Sequence, residues 1–399
     1  MASALLLSRQ GHRVTLLERF ASPQAVGAGI LLQPSGMWVL QQLGVLQDVA
    51  LRASRIHALH GVTGQRRVLD LKYSDYHDQA FGLGVHRGAL FDALFKATSA
   101  ASINIEAGSE VESIDPDGTI TVAGKCRAFD LVIVASGAHT RLGRHLGLEI
   151  SEAEYPWGAV WSVLPGESIE PGVLSQAYDG ARKMAGLLPS GRDPNSGHTC
   201  TSFFYSVRCD QRQAFSKQPI SRFQDQALAL WPQAEPWLGR IESHDQFTFA
   251  SYRDTIMSHW HSGRVVVIGD AAHAMSPQLG QGTNLALVDA LELSSVLEQS
   301  RRSIPALLAQ YSARRRSHIR FYQAASRILT PFYQSDSWWA GALRDWTTPI
   351  GSRVAPFNRQ SLATLVGFKT GIFSSLLNKS EREQLFASIE DSLEQAPSA

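Results

Sequence analysis

The sequence predicts an α/β protein: a parallel sheet covered by helices, an inserted antiparallel sheet, and a helical C-terminal region. Three observations carry this. Val265–Ile268 is a run of apolar residues closed by Gly269-Asp270, and Asn284 to Leu297 beyond it has the spacing of an amphipathic helix. Ala2–Gln10, Gly11 and Arg13–Glu18 read in succession as helix, C-terminal glycine and strand. From Ile150 to His261, short aromatic-rich alternating runs are separated by Gly and Pro clusters, the pattern of an antiparallel sheet.

The chain has 399 residues, is 44% hydrophobic and carries a formal net charge of +1. That length supports two domains with cores of their own. The balanced charge offers nothing to nucleic acid or an anionic membrane surface. No run of about 18 apolar residues marks a transmembrane helix. Cys126, Cys200 and Cys209 show neither a CxxC pair nor metal-ligand spacing. They read as buried apolar residues of a chain in a reducing, cytoplasmic compartment. No Ser-His-Asp order, zinc spacing or P-loop is present.

The elements follow in order. The first strand ends in Glu18, and an acidic residue at a strand end suits sugar hydroxyls, which donate to it. Val26–Gly44 is a Gly-rich loop entering a helix at Ser35. Leu59–Leu71 reads as a hairpin about Thr63-Gly64, and Val85-His86-Arg87 opens a helix. Ile103–Ile114 and Thr119–Val122 read as a hairpin about Asp117-Gly118, and Phe129–Ala135 as a buried strand.

Trp157–Leu164, Leu174–Tyr178, Lys183–Leu188 and Cys200–Val207 are the alternating runs, with Pro189-Ser190-Gly191 as one separator. Trp161, Gln176, Tyr178, Met184, Phe203 and Tyr205 are candidates for a pocket floor, most of them as core. Beyond Arg301 the chain reads as helical, with the basic stretch Ser312–Ser326 (ARRRSHIR within it) as a solvated helix face. The tail with Trp338, Trp339 and Trp346 is expected to cap the pocket or form a homodimer contact.

The most informative segment is 265–291. Its strand brings Asp270 to a sheet edge. Its turn, with Pro277 and Gly280-Gln281-Gly282, brings bare backbone N–H groups to a helix N-terminus. Such an end carries about half a positive charge and suits an anion or an electron-rich ring carbonyl.

This segment resembles the ribityl-binding motif of the FAD-dependent aromatic hydroxylases, the class of para-hydroxybenzoate and salicylate hydroxylases. Gly269-Asp270, Pro277 and Gly280-x-Gly282 all match. The resemblance implies a Rossmann-type FAD-binding domain over 1–58, 80–149 and 255–300. It implies a substrate domain over 59–79 and 150–254, and a C-terminal helical region over 301–399. Glu18 would hold the adenosine ribose, with Arg19 beside it. Gly29 would run along the ribityl chain and flavin ring, and Arg87 would reach the ribityl or phosphate region. Gly269, Asp270, Pro277, Gly280, Gly282 and Asn284 would form the rest of the flavin site.

Ser136 stands where the family has the Asp of an Asp-Gly motif; serine keeps a hydrogen-bonding group and loses the charge. His273 is expected to be structural, His86 is open, no catalytic base is assigned, and no metal is expected. The implied reaction is hydroxylation of a small aromatic or heteroaromatic substrate with O₂. NADH or NADPH would reduce FAD, and a flavin C4a-hydroperoxide would transfer the oxygen. Epoxidases and ubiquinone-type hydroxylases share the motifs, and a non-catalytic chain without FAD is the reading from another class.

One part of the family pattern does not precede Ala2–Gln10: a strand followed by G-x-G-x-x-G. Met1 stands where a Leu or Met commonly follows the third glycine. The expectation is a start at an internal methionine, with about 15 residues upstream, including a strand of about five or six. Burial of about four large side chains at about 1.5–3 kcal/mol each would make that strand comparable to a domain's net stability of about 5–15 kcal/mol. Without it, FAD binding would be weak.

Overall fold

Gly11, at φ +87°, closes the first helix, α1 (Ala2–Arg9). Its N–H donates to Ser8 O at 3.0 Å, and the His12 N–H donates to Leu7 O at 3.1 Å. This is the Schellman arrangement, which satisfies the last carbonyls of the helix. The chain then reverses into the strand Val14–Glu18, which pairs in parallel with Ile103–Ala107.

The computed structural model describes residues 1–23, 27–148, 150–298 and 302–394. A second parallel pair joins Val132–Val134 to Val265–Val267, with His261–Ser262 antiparallel at its edge. Among the described residues these two groups of parallel strands do not pair with each other. The pairing of Ile103–Ala107 with Val14–Glu18 also corrects the expected hairpin. Only Val111–Ile114 turns back onto Thr119–Val122. Gly108, at φ +70°, breaks the run between them, and alternation alone does not record which side of such a break pairs where.

Helices follow three of the strand segments. α2 (Pro34–Gln42) follows the strand Gly29–Leu32, α3 (Arg87–Ala100) follows Gly82–His86, and α4 (Gly282–Leu297) follows the 265–281 strand and turn. α4 buries Leu285, Val288, Leu293 and Val296, and it touches α1, α2 and the long helix α5 (Ile304–Tyr333).

The larger sheet has seven strands in the order Thr248–Ala250, Trp157–Pro165, Thr199–Arg208, Lys183–Arg192, Val173–Asp179, Ala58–Thr63, Arg66–Lys72. Its neighbours are antiparallel except Val173–Asp179 and Ala58–Thr63, which run parallel, so the sheet is mixed. Direction is set by the crossover between strands, which period-two alternation does not encode. Pro189-Ser190-Gly191 lies inside a strand rather than between two, accommodated by a bulge between Pro189 and Arg192.

The two faces of this sheet have different neighbours. Leu174, Tyr178, Met184, Leu188 and Phe204 pack with Leu31, Leu32, Met37 and Val85, on the side of the antiparallel strands Gly29–Leu32 and Gly82–His86. Phe203 and Tyr205 face the other way and join Val160, Leu187 and Phe223, under the helix Ile220–Leu230. They are therefore core residues and do not floor a pocket beside Gly29. Period two separates the faces but does not say which layer each meets.

Two further expectations change. Cys126 is exposed, not buried. The basic run on α5 is not a solvated face throughout: Arg315 and His318 are fully buried. Among the described residues no helix is long and apolar enough to cross a membrane.

Candidate active site

The strand Val265–Val267 ends at Gly269, whose φ of +61° turns the chain sharply into Asp270. Asp270 is exposed, and among the described residues no hydrogen bond or ion pair holds its carboxylate. It faces the start of α4: a Cβ built on Gly282 would lie 3.4 Å from Asp270 Oδ1. Pro277 opens a short 3₁₀ turn, and Gly280, left-handed at φ +61°, closes it. α4 then begins at Gly282 with no side-chain cap from Gln281. Gly282 and Thr283 are partly open to solvent, so donors that every helix leaves unpaired are presented beside a free carboxylate.

Asn284 clamps this turn to its neighbours. Its Oδ1 accepts from the Gln33 N–H at 2.9 Å, and its Nδ2 donates to Gly280 O at 3.0 Å and Leu31 O at 3.2 Å. The amide is thus used by protein groups, and the residue acts by positioning two backbone segments. Gly36 makes room for it, since a Cβ there would meet Asn284 Oδ1 at 2.2 Å.

Gly29 lies where backbone approaches sheet. Its N–H donates to Ser202 Oγ at 2.7 Å, and an added Cβ would come 2.2 Å from Ser190 Oγ. Arg87, exposed at the start of α3, lies against Gly27, and its N–H donates to Ala28 O at 3.1 Å. His86 caps that helix, its Nδ1 accepting from the Gly88 N–H at 3.0 Å. Glu18 and Arg19 sit on a different sheet, at the end of Val14–Glu18. There Glu18 Oε1 accepts from the Phe20 N–H at 3.0 Å, and the Arg19 guanidinium lies 4.7 Å from the Phe20 ring centre. Ser136 bonds Thr140 Oγ1 at 2.6 Å.

A recess of about 240 Å³ opens between Gly27, Ala28, Trp161, Ser162, Gln246 and Thr248. Trp161 Nε1 donates to Tyr252 Oη at 3.3 Å, and burial pushes the Tyr252 phenol up to about 12. Gln176 accepts the Tyr178 hydroxyl at 2.5 Å.

A family model described as an FAD binding domain matches residues 1–325. The chain belongs to that family, the FAD-dependent monooxygenases. It is 28% identical over 305 residues to a probable 2-heptyl-3-hydroxy-4(1H)-quinolone synthase of Rhodococcus erythropolis, covering 74% of this chain and 76% of the relative. It is 23% identical over 337 residues to 6-hydroxynicotinate 3-monooxygenase of Bordetella bronchiseptica, covering 75% and 80%. Among solved structures, a 2-methyl-3-hydroxypyridine-5-carboxylic acid oxygenase superposes with a TM-score of 0.75 at 23% identity, covering 90% of this chain and 92% of the other.

The geometry of this monooxygenase fits FAD. A carboxylate with no partner among the described residues lies beside an uncapped helix start, and the residue that opens the helix, Gly282, carries no side chain. Beneath lies a buried network that sequence reading missed. Asp289 Oδ2 accepts from the Gly269 N–H at 2.8 Å and from His273 Nε2 at 2.6 Å, and its Oδ1 accepts from Arg315 Nε at 2.8 Å. Arg315 also donates to His318 Nδ1 at 2.5 Å, and His318 Nε2 donates to Gly367 O at 2.9 Å. Burial alone would raise the Asp289 carboxyl. The His273 and Arg315 charges and the bonds from His273 and Gly269 outweigh it and hold the group well below the usual range. Burial, and then the Arg315 charge, push His318 well below its ordinary value. The network explains His273 as structural and ties Gly269 to α5. A buried-looking Asp within α4, followed by a basic run, was the signal available in the sequence.

Proposed function

We propose that this monooxygenase inserts one oxygen atom from O₂ into an electron-rich aromatic or heteroaromatic ring, with NADH or NADPH as reductant. The balance is ring C–H, O₂, NAD(P)H and a proton giving ring C–OH, water and NAD(P)⁺. Bound FAD supplies the oxygen activation. The observation that carries the reading is the free Asp270 carboxylate opposite the uncapped start of α4.

In this reading Asp270 accepts hydrogen bonds from the ribityl hydroxyls. The N–H groups at Gly282 and Thr283, with the dipole of α4, favour negative charge at the ring carbonyl edge. Gly269, Pro277 and Gly280 shape the turn that presents them, and Asn284 fixes it. Glu18 accepts from the adenosine ribose with Arg19 beside it, and Arg87 serves the ribityl or phosphate region. Gly29 lets the backbone come close to the cofactor. The face of the large sheet that carries Trp161 keeps water from the reacting ring. The similarity to proteins named for quinolone, nicotinate and pyridine substrates favours a nitrogen-containing ring.

The test is oxidation of NADH and NADPH by the FAD-loaded protein against a panel of hydroxypyridines, quinolones and phenols under ¹⁸O₂. The expected result is substrate-stimulated turnover with one ¹⁸O in the product. Stimulated turnover with no label in the product contradicts the reading.

A further inference from the structure

The C-terminal helix α6 (Trp338–Arg353) turns its small residues inward and its large apolar residues to solvent. Ala340 is fully buried, and Gly341 packs so closely on the Gly180–Ala181 turn that a Cβ would come 2.4 Å from Gly180 C. Arg344 is buried between them and the sheet, its guanidinium 4.3 Å from the Tyr178 ring centre and 2.6 Å from Asp345 Oδ1. The outer face carries Trp339, Leu343, Trp346 and Ile350, exposed by 50%, 39%, 63% and 51%. Trp338 flanks this stripe, and Val354 and Phe357 continue it past the helix end into α7 (Ala355–Leu365).

We propose that this stripe is a homodimer interface, in which α6 of one copy packs antiparallel on α6 of a second copy. The spacing of four, three and four along 339, 343, 346 and 350 is the spacing by which one helix seats on another. A single self-complementary helix across a two-fold axis satisfies both copies at once.

The area is adequate. Aromatic side chains present about 150–250 Å² each, so three tryptophans and Phe357 at their exposures offer on the order of 500 Å². Leu343, Ile350 and Val354 bring the face near the roughly 800 Å² per partner of a standard interface. Its composition fits as well, since interface centres are rich in aromatics and poor in charge. Among the described side chains of α6 the charged ones are Arg344 and Asp345, paired with each other. A helix lying on an anionic bilayer instead flanks its apolar face with Lys and Arg.

The experiment is light scattering coupled to size exclusion on the full FAD-loaded chain at micromolar concentration. The expected mass is that of a dimer. Trp346→Glu or Ile350→Arg should halve it with the far-UV circular dichroism unchanged. Phe373→Glu, 92% exposed and outside the stripe, should leave it a dimer. If W346E is insoluble, I350R alone serves, since both sit on the same exposed stripe. A monomeric parent chain, a dimer that survives both stripe variants, or a monomer that sediments with anionic vesicles would each overturn the proposal.

Discussion

Arg315 and Asp289 form a fully buried ion pair, Nε to Oδ1 at 2.8 Å, with neither side chain exposed. The pair sits directly behind the turn at Gly269, whose N–H is held by the other Asp289 oxygen. A buried pair of this kind is weak evidence for added stability, but breaking it leaves a charge without a partner.

Asp289→Asn should therefore cost about 3–5 kcal/mol, read as a lower unfolding midpoint in urea. Because Gly269 loses its carboxylate acceptor, the variant should also hold less flavin after purification. A variant with the parent's midpoint and flavin content would show that the network does not brace the turn.

His318 makes stability fall in acid. Below the ordinary imidazole value of 6.5, the unfolded chain binds a proton at this residue that the folded chain refuses. Folding free energy should thus drop as pH falls below 6.5, by up to about 1.4 kcal/mol per unit from this group. His318→Gln can still accept from Arg315 and donate to Gly367, so its acid limb should be shallower. Urea titrations at several pH values decide; equal slopes for parent and variant would exclude the residue.

Gly29→Ala brings a Cβ within 2.2 Å of Ser190 Oγ and 2.7 Å of Ser202 Oγ. The strand must move away from the large sheet, carrying with it the backbone proposed to approach the cofactor. Flavin affinity should fall about tenfold or more, the equivalent of about 1.4 kcal/mol, as read by fluorescence titration. An unchanged affinity would mean that this backbone does not approach the cofactor.

Much of this was legible in the sequence. Gly269-Asp270, Pro277 and Gly280-x-Gly282 are local backbone chemistry, and local chemistry survives in one dimension; the turn they form is the one the structure shows. Gly11 ended α1 for the same reason. What was not legible depends on partners distant in the chain. Arg315 in a basic run looks solvated until Asp289, 26 residues earlier, is seen opposite it. Phe203 and Phe204 alternate correctly, yet only the neighbouring layers decide which of them faces Met37 and which Phe223. The parallel pairing of Val173–Asp179 with Ala58–Thr63 likewise spans more than a hundred residues.

Trp161 lines the recess beside Gly27 and Ala28. Trp161→Ala should admit water and loosen the substrate, lowering kcat/KM by about tenfold or more and raising the share of NAD(P)H consumed without product. Parallel assays of nicotinamide oxidation and hydroxylated product measure that share. A variant that remains as coupled as the parent would place the substrate elsewhere.

The most direct test is FAD titration of the parent chain beside Asp270→Ala, with thermal unfolding of both measured without added flavin. Among the described residues Asp270 has no hydrogen-bond or ion-pair partner, so its removal should leave the apoprotein midpoint unchanged. Its hydrogen bonds to the cofactor should be worth about 1.5–3 kcal/mol, a loss of about 10- to 150-fold in affinity. Parent-like FAD affinity in the variant would contradict the placement of the flavin at the Asp270 carboxylate and the start of α4.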